Sequence, residues 1–235
     1  MKPYYEHAGI TIYHGDARGI LPQLEAESII TDPIWPNSVF DGVDPKRLLC
    51  EALQNAPGRR VVIHLGCDSD PRFLAAVPER WPFLRVCWLD YAKPNYKGRI
   101  LYGSDVAYVF GEPPAAKLGA QLMPGKCMAQ RTGEKIQREI GGPTSEQKNN
   151  YRRNKETVGR MHPCPRRIQH VRWLVKWFAG ESLIDPFVGS GTTLVAAKLL
   201  GVPAIGIEIE EKYCEIAAKR LSQEVLQWTQ PNSSQ

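Results

Sequence analysis

Two stretches of the chain combine residue types that could do chemistry. The first is Thr31-Asp32-Pro33-Ile34-Trp35-Pro36, which ends the apolar run Ser28 to Thr31. A carboxylate, a proline-stiffened backbone carbonyl and an aromatic ring at a strand's carboxyl end place two acceptors and a stacking surface within one ligand's reach. Taken alone, the stretch also fits a loop whose tryptophan plugs the core. The second is Leu183 to Glu208, LIDPFVGSGTTLVAAKLLGVPAIGIE. Here a buried strand runs into Phe187-Val188-Gly189-Ser190-Gly191, Thr192 and Thr193 cap a helix, and a second strand ends in an acidic residue. Glycines at such a turn let the backbone approach a ligand lying outside the carboxyl ends of the strands. Glu208 is placed to accept hydrogen bonds from ribose hydroxyls, which makes this a nucleoside-cofactor site. The dehydrogenase fingerprint G-x-G-x-x-G fails because Leu194 stands at its third glycine, and no G-x-x-x-x-G-K-[ST] loop occurs, so neither NAD nor ATP is favoured.

These residues need a scaffold, and the apolar periodicity supplies one. Short apolar runs at Ile10 to Tyr13, Ser28 to Thr31, Arg60 to Leu65, Phe83 to Leu89 and Asp105 to Phe110 read as strands of a mainly parallel α/β sheet. Asp44 to Gln54 and Asp70 to Val77 read as crossover helices, each opened by an aspartate N-cap. Gly111 to Gly159 is rich in Gly, Pro, Lys, Arg, Gln and Asn, and is expected to be an irregular insertion outside the sheet. Order resumes with a helix over Arg166 to Ala179, a strand over Leu183 to Asp185, a helix over Thr192 to Leu200, a strand over Ala204 to Glu208 and a helix over Glu210 to Leu226.

Composition narrows the class. With 235 residues, 43% hydrophobic and 23% charged, the chain is expected to fold as one α/β domain with a short insertion. No apolar run reaches membrane-helix length, and Lys2, Glu6 and His7 interrupt any signal-like start, so a cytoplasmic protein is expected. The six cysteines form no C-x-x-C pair, which argues against a zinc knuckle or a disulfide framework and fits a reducing cytoplasm, and no metal site is expected. The net charge of +5 is uneven: residues 112 to 172 hold 13 Lys and Arg against 5 Glu, a local balance of +8 that leaves −3 for the remainder. Such a patch is either a solvated basic loop or a phosphate-contacting surface.

Together the two motifs resemble the amino-methylating, S-adenosylmethionine-dependent DNA methyltransferases in their circularly permuted beta-class order. There a [DNS]-P-P-[YFW] catalytic motif lies near the N-terminus and an F-x-G-x-G cofactor motif near the C-terminus. The resemblance continues in Gly15-Asp16-Ala17, in Trp88 with Lys93-Pro94-Asn95, and in His162-Pro163; it spans nearly all the chain except about 111 to 160. It implies a Rossmann-like α/β methyltransferase fold with a mainly parallel seven-stranded sheet and helices on both faces. Residues 1–110 would form the catalytic half, 111–160 an inserted basic target-recognition segment, 161–228 the cofactor-binding half and 229–235 a flexible tail. One departure stands in the catalytic motif, where Ile34 replaces the usual second proline. The acceptors and the stacking ring, Asp32, Pro33 and Trp35, are retained.

The implied roles follow residue by residue. Asp32 and Pro33 would hold the target amine while Trp35 stacks on a base flipped out of the duplex. Phe187, Gly189, Ser190, Gly191 and Thr192 would form the floor of the S-adenosylmethionine site, with Asp185 near the positively charged amino-acid end and Glu208 on the ribose. Asp16 would accept from the adenine amine, with Ala17 as a further cofactor-binding residue, or else Asp16 would serve as a helix N-cap. Arg131, Lys135, Arg138, Lys148, Arg152, Arg153, Lys155 and Arg160 would contact double-stranded DNA. The Asp of the catalytic motif points to adenine N6, with cytosine N4 as the alternative. The short recognition segment leaves room for a homodimer, and the family leaves room for a cognate restriction enzyme. Pro163-Cys164 raises cytosine C5 methylation, but the motif order is the reverse of that family's, and His162 is read as structural. A catalytically idle nucleic-acid-binding module rests on Ile34 alone.

Overall fold

In the computed structural model, residues 1–34, 42–115, 122–128 and 166–222 are described. The short apolar runs become strands: β1 Tyr5–His7, β2 Ile10–His14, β3 Ser28–Thr31, β4 Arg60–Gly66, β5 Phe83–Lys97, β6 Ile100–Gly111, β7 Lys126–Met128, β8 Leu183–Asp185 and β9 Ala204–Glu208. The helices are α1 Ala17–Ile20, α2 Pro45–Leu53, α3 Ile168–Phe178, α4 Thr192–Leu200 and α5 Glu211–Ser222. The strands form one nine-stranded sheet in the order β1-β2-β9-β8-β3-β4-β6-β5-β7. Its middle, from β2 to β4, is parallel throughout. The count exceeds the expected seven by the three-residue edge strands β1 and β7, and each is too short to leave a periodic signal.

Side-chain alternation explains the layers. Along β3 and β4, Ile29, Val61, Ile63 and Leu65 point to a core shared with Leu49, Leu53, Phe73 and Trp81. Ile30 and Val62 point the other way, onto Val171, Leu174, Phe178 and Leu194. Both strands are buried at every position, as a parallel sheet under two helical layers requires. A fully buried side chain such as Leu174 contributes about 2 kcal/mol.

Three elements differ from the sequence expectations. Asp70 does cap its segment, its Oδ1 accepting from the Arg72 amide at 2.9 Å, but Pro71–Ala76 is a 3-10 turn and not an α-helix. With prolines at 71 and 78 there is no room for a longer α ladder. β5 and β6 continue past the expected limits into a long hairpin, because Gly98 (φ +60°) closes a turn there and pairing resumes beyond an irregularity between Asp90 and Asn95. Within the basic insertion, Lys126–Met128 joins the sheet parallel to β5, anchored by the buried Cys127. The expected continuation of α5 to Leu226 and the tail lie outside the described residues.

The chain order places the site. From β8 the chain moves to β9 on one side, whereas from β3 it moves to β4 on the other. The crevice outside the carboxyl ends of β8 and β3 is therefore a topological switch point, where open α/β sheets bind ligands.

Candidate active site

β3 and β8 are parallel neighbours, so Thr31-Asp32 and Asp185 emerge side by side. The Thr31 hydroxyl donates to Asp185 Oδ1 at 2.8 Å, and the Phe187 amide donates to the same oxygen at 3.1 Å. Burial pushes the Asp185 carboxyl up to about 6, even though hydrogen bonds from Thr193, Thr31 and Phe187 pull it down. Thr193 thus serves Asp185 and caps nothing; the N-cap is Gly191, in the left-handed region at φ +81°.

Glu208 ends β9, two residues beyond Gly206, which pairs with Asp185. Its carboxylate accepts from the Gly189 amide at 2.7 Å and the Glu210 amide at 2.9 Å. These amides fix the orientation of a largely buried group whose pKa burial raises. Gly191 also meets a packing need. A Cβ there would lie 2.8 Å from Ala217 Cβ, so close packing of the turn on α5 demands the glycine. From α5, Arg220 reaches back to donate to the Ser190 carbonyl, to Ser190 Oγ at 3.1 Å and to Thr192 Oγ1 at 3.3 Å, pinning the turn.

Asp16 is the N-cap of α1. Its Oδ1 accepts from the Arg18 amide at 2.9 Å, and the Arg18 guanidinium forks onto both of its oxygens. That guanidinium holds the Asp16 carboxyl below its usual range. Ala17 is buried behind it. The next-door amide, Gly15 N, donates to the Glu208 carbonyl at 2.9 Å, which keeps this corner beside the end of β9.

Asp32 is gripped by a residue the sequence reading passed over. Arg166 donates from Nε to Asp32 Oδ2 at 2.7 Å and from Nη2 to Oδ1 at 2.8 Å, a bidentate fork. Its Nη1 reaches Asp105 Oδ2 at 3.2 Å. Asp105 also accepts from the Tyr91 hydroxyl, and lies 3.3 Å from His64 Nε2. Burial would raise the Asp105 carboxyl, but hydrogen bonds from His64 and Tyr91 and the charge of Arg166 hold it near 2. Burial keeps His64 and His170 neutral by lowering both. His64, Asp105 and His170 offer ligand atoms within 4.8 Å of one another, yet Arg166 already neutralises the one carboxylate among them.

One cavity is lined by Thr31, Asp32, Asp185, Phe187, Gly189, Ser190 and Thr192, together with His64 and Arg166. The fold thus brings together Asp32 and the Asp185 to Thr192 turn, with Glu208 held on that turn through Gly189. Pro33 is buried beside Asp32. Trp35, the eight basic residues from Arg131 to Arg160, His162 and Cys164 lie outside the described residues.

Residues 34–219 match the DNA methylase family of N6 and N4 methyltransferases. The chain belongs to this family. Among curated relatives, the type II methyltransferase M2.DpnII of Streptococcus pneumoniae is 58% identical over 45 residues, 19% of this chain and 17% of that protein. M2.LlaDCHI of Lactococcus lactis subsp. cremoris matches over 16% of its length, so these first segments span a small part of either relative. The type II methyltransferase M.ScaI of Streptomyces caespitosus is 25% identical over 95% of this chain and 84% of its own. Among solved structures, the M1.HpyAVI-SAM complex superposes with a TM-score of 0.61 at 19% identity, covering 91% of this chain and all of that one. The PvuII DNA methyltransferase (cytosine-N4-specific) gives 0.63 at 14% identity over 94% and 89%. These likenesses establish a DNA methylase fold of the Rossmann-like type.

In this member of the DNA methylase family, the sequence reading missed Arg166, Asp105, Tyr91 and His64. One signal was available: His64 and Asp105 are ionisable residues inside largely apolar stretches of β4 and β6, level with the edge that meets the site. Nothing local marks Arg166 as their common partner, because it lies just ahead of α3 and only the tertiary fold brings it to the two strands.

Proposed function

We propose that this chain transfers a methyl group from S-adenosylmethionine to the exocyclic N6 amine of adenine in double-stranded DNA, after flipping the base from the helix. The observation that carries this is Asp32 and Asp185 at neighbouring strand ends, opening into one cavity at the switch point. The residues present fit the cofactor: Asp185 and Glu208 lie on adjacent strands, where a cationic nucleoside has one carboxylate for its charge and another for its ribose. Asp16 closes the same edge, with Phe187 and the 189–192 turn as floor.

When bound, S-adenosylmethionine supplies an electrophilic methyl group. An exocyclic base amine is a weak nucleophile because its lone pair is delocalised into the ring. Hydrogen bonds donated by that amine to the Asp32 carboxylate and the Pro33 carbonyl localise the lone pair on nitrogen. With the methyl group supplied by the bound cofactor, Asp32 or water would take the proton that the methylated amine gives up. The Arg166 fork fixes the orientation of this acceptor carboxylate. Positioning of this kind contributes about 7 to 11 kcal/mol in well-oriented reactions. Trp35 would stack on the flipped base, and the basic residues from Arg131 to Arg160 would hold the duplex.

Nuclease digestion and mass spectrometry of DNA from cells expressing the protein tests this directly. N6-methyladenine is expected. N4-methylcytosine would move the assignment to the second amine the site could activate, and unmodified DNA would favour an idle binding module.

A further inference from the structure

The hairpin of β5 and β6 runs past the sheet on the side of the site. β4 ends at Gly66, which pairs with Asp105, so residues 90–104 continue beyond the carboxyl edge at which Asp32 lies. Five residues separate Asp105 from Ile100, a rise of about 17 Å, and β6 stands two strands from β3, about 10 Å to the side. Burial changes at that edge. Val106, Ala107 and Val109 are buried, whereas Tyr96, Ile100 and Leu101 are 67%, 64% and 51% exposed. Residues 91–104 include Lys93, Lys97 and Arg99 and no acidic residue.

A tip with exposed apolar side chains beside the exposed Arg99, in a 94–102 sequence without an acidic residue, suits a polyanion better than a hydrophobic protein partner. A two-stranded β-ribbon fits the major groove of B-DNA, about 12 Å wide. Apolar and aromatic side chains can enter between unstacked bases while basic neighbours meet phosphates. We propose that the 94–102 hairpin tip is a DNA-contacting arm that grips the duplex beside the flipped base. This rests on the DNA methyltransferase reading and adds a contact surface distinct from the 111–160 segment. The hairpin base is also wired to the site: Tyr91, in the irregular stretch after Asp90, donates to Asp105, which bonds the same Arg166 that holds Asp32.

The test uses the full chain, a fluorescein-labelled mixed-sequence duplex and anisotropy between about 50 and 200 mM salt. Tyr96→Ala and the triple change Arg99→Ala, Ile100→Ser, Leu101→Ser are compared with the unchanged protein. S-adenosylmethionine binding by calorimetry reports an intact fold, and the exposed single change Tyr96→Ala stands in if the triple variant fails to fold. Expected are duplex binding weaker by about 10-fold, a salt slope flattened by about 0.9 in the triple variant, and unchanged cofactor affinity. Unchanged duplex affinity and slope would overturn the arm while leaving the methyltransferase reading in place. Loss of a dimer in sedimentation velocity with DNA affinity intact would instead make the tip a self-association face. Absence of DNA binding by the unchanged protein would remove both proposals.

Discussion

The Arg166 guanidinium holds both oxygens of Asp32, at 2.7 and 2.8 Å, and bridges to Asp105 at 3.2 Å, so the candidate catalytic carboxylate is oriented by a cation anchored in the core. With a side chain only 9% exposed, Arg166 is far stiffer than a surface ion pair. Replacement by Met leaves the buried Asp105 uncompensated, which costs about 3 to 5 kcal/mol. Lys restores charge but not the fork, and a misplaced acceptor costs about 100-fold in turnover. Urea unfolding and tritium transfer should show Arg166→Met losing stability and activity, and Arg166→Lys losing mainly kcat. Full turnover by the Lys variant would show that the fork is dispensable.

Asp32→Ala is expected to abolish methyl transfer with S-adenosylmethionine affinity close to that of the unchanged protein, because Asp32 faces the substrate amine. Calorimetry and tritium transfer measured together decide this. A variant that turns over fully removes Asp32 from the mechanism.

Asp185 provides a pH signature. Its folded pKa is raised from 3.8 to about 6, so the native state binds the proton more tightly than the unfolded chain. Its contribution to stability is therefore highest below pH 4, falls as pH rises from 4 to about 6, and is flat above, by about 3 kcal/mol at most. Cofactor affinity should run the other way. A positively charged ligand favours the carboxylate, so binding should weaken about tenfold from pH 7 to pH 5. Asp185→Asn should remove both dependences, and a pH-independent Kd in the unchanged protein would place Asp185 away from the cofactor's charge.

Gly191→Ala should destabilise the folded protein even with no ligand bound. The residue sits at φ +81°, and its new Cβ would press on Ala217 at 2.8 Å. Left-handed strain and overpacking together cost about 2 to 4 kcal/mol. A thermal melt within a degree of the unchanged protein would contradict this packing.

Cys164→Ser should retain full methyl transfer, since an amine nucleophile needs no enzyme thiol. Loss of activity would instead favour the cytosine C5 route.

Local sequence determined the strands whose apolar runs are continuous, because a parallel strand buried on both faces must be apolar at successive positions. It also determined the helices opened by Asp44 and Gly191, and the two turns at Asp32 and Phe187 to Gly191, where residue type alone restricts the backbone. What it could not determine was pairing between distant segments. The extension of β5 and β6 into an overhanging hairpin depends on register across Gly98, and Lys126–Met128 is a strand only because β5 offers it an edge. Asp16 reads from sequence as N-cap or ligand acceptor, and the structure shows it capping α1 and paired with Arg18. The junction of Asp32, Arg166, Asp105, His64 and Tyr91 draws on residues up to 134 positions apart. Hydrogen bonds of that span arise from the order in which strands enter the sheet, which no local spacing encodes.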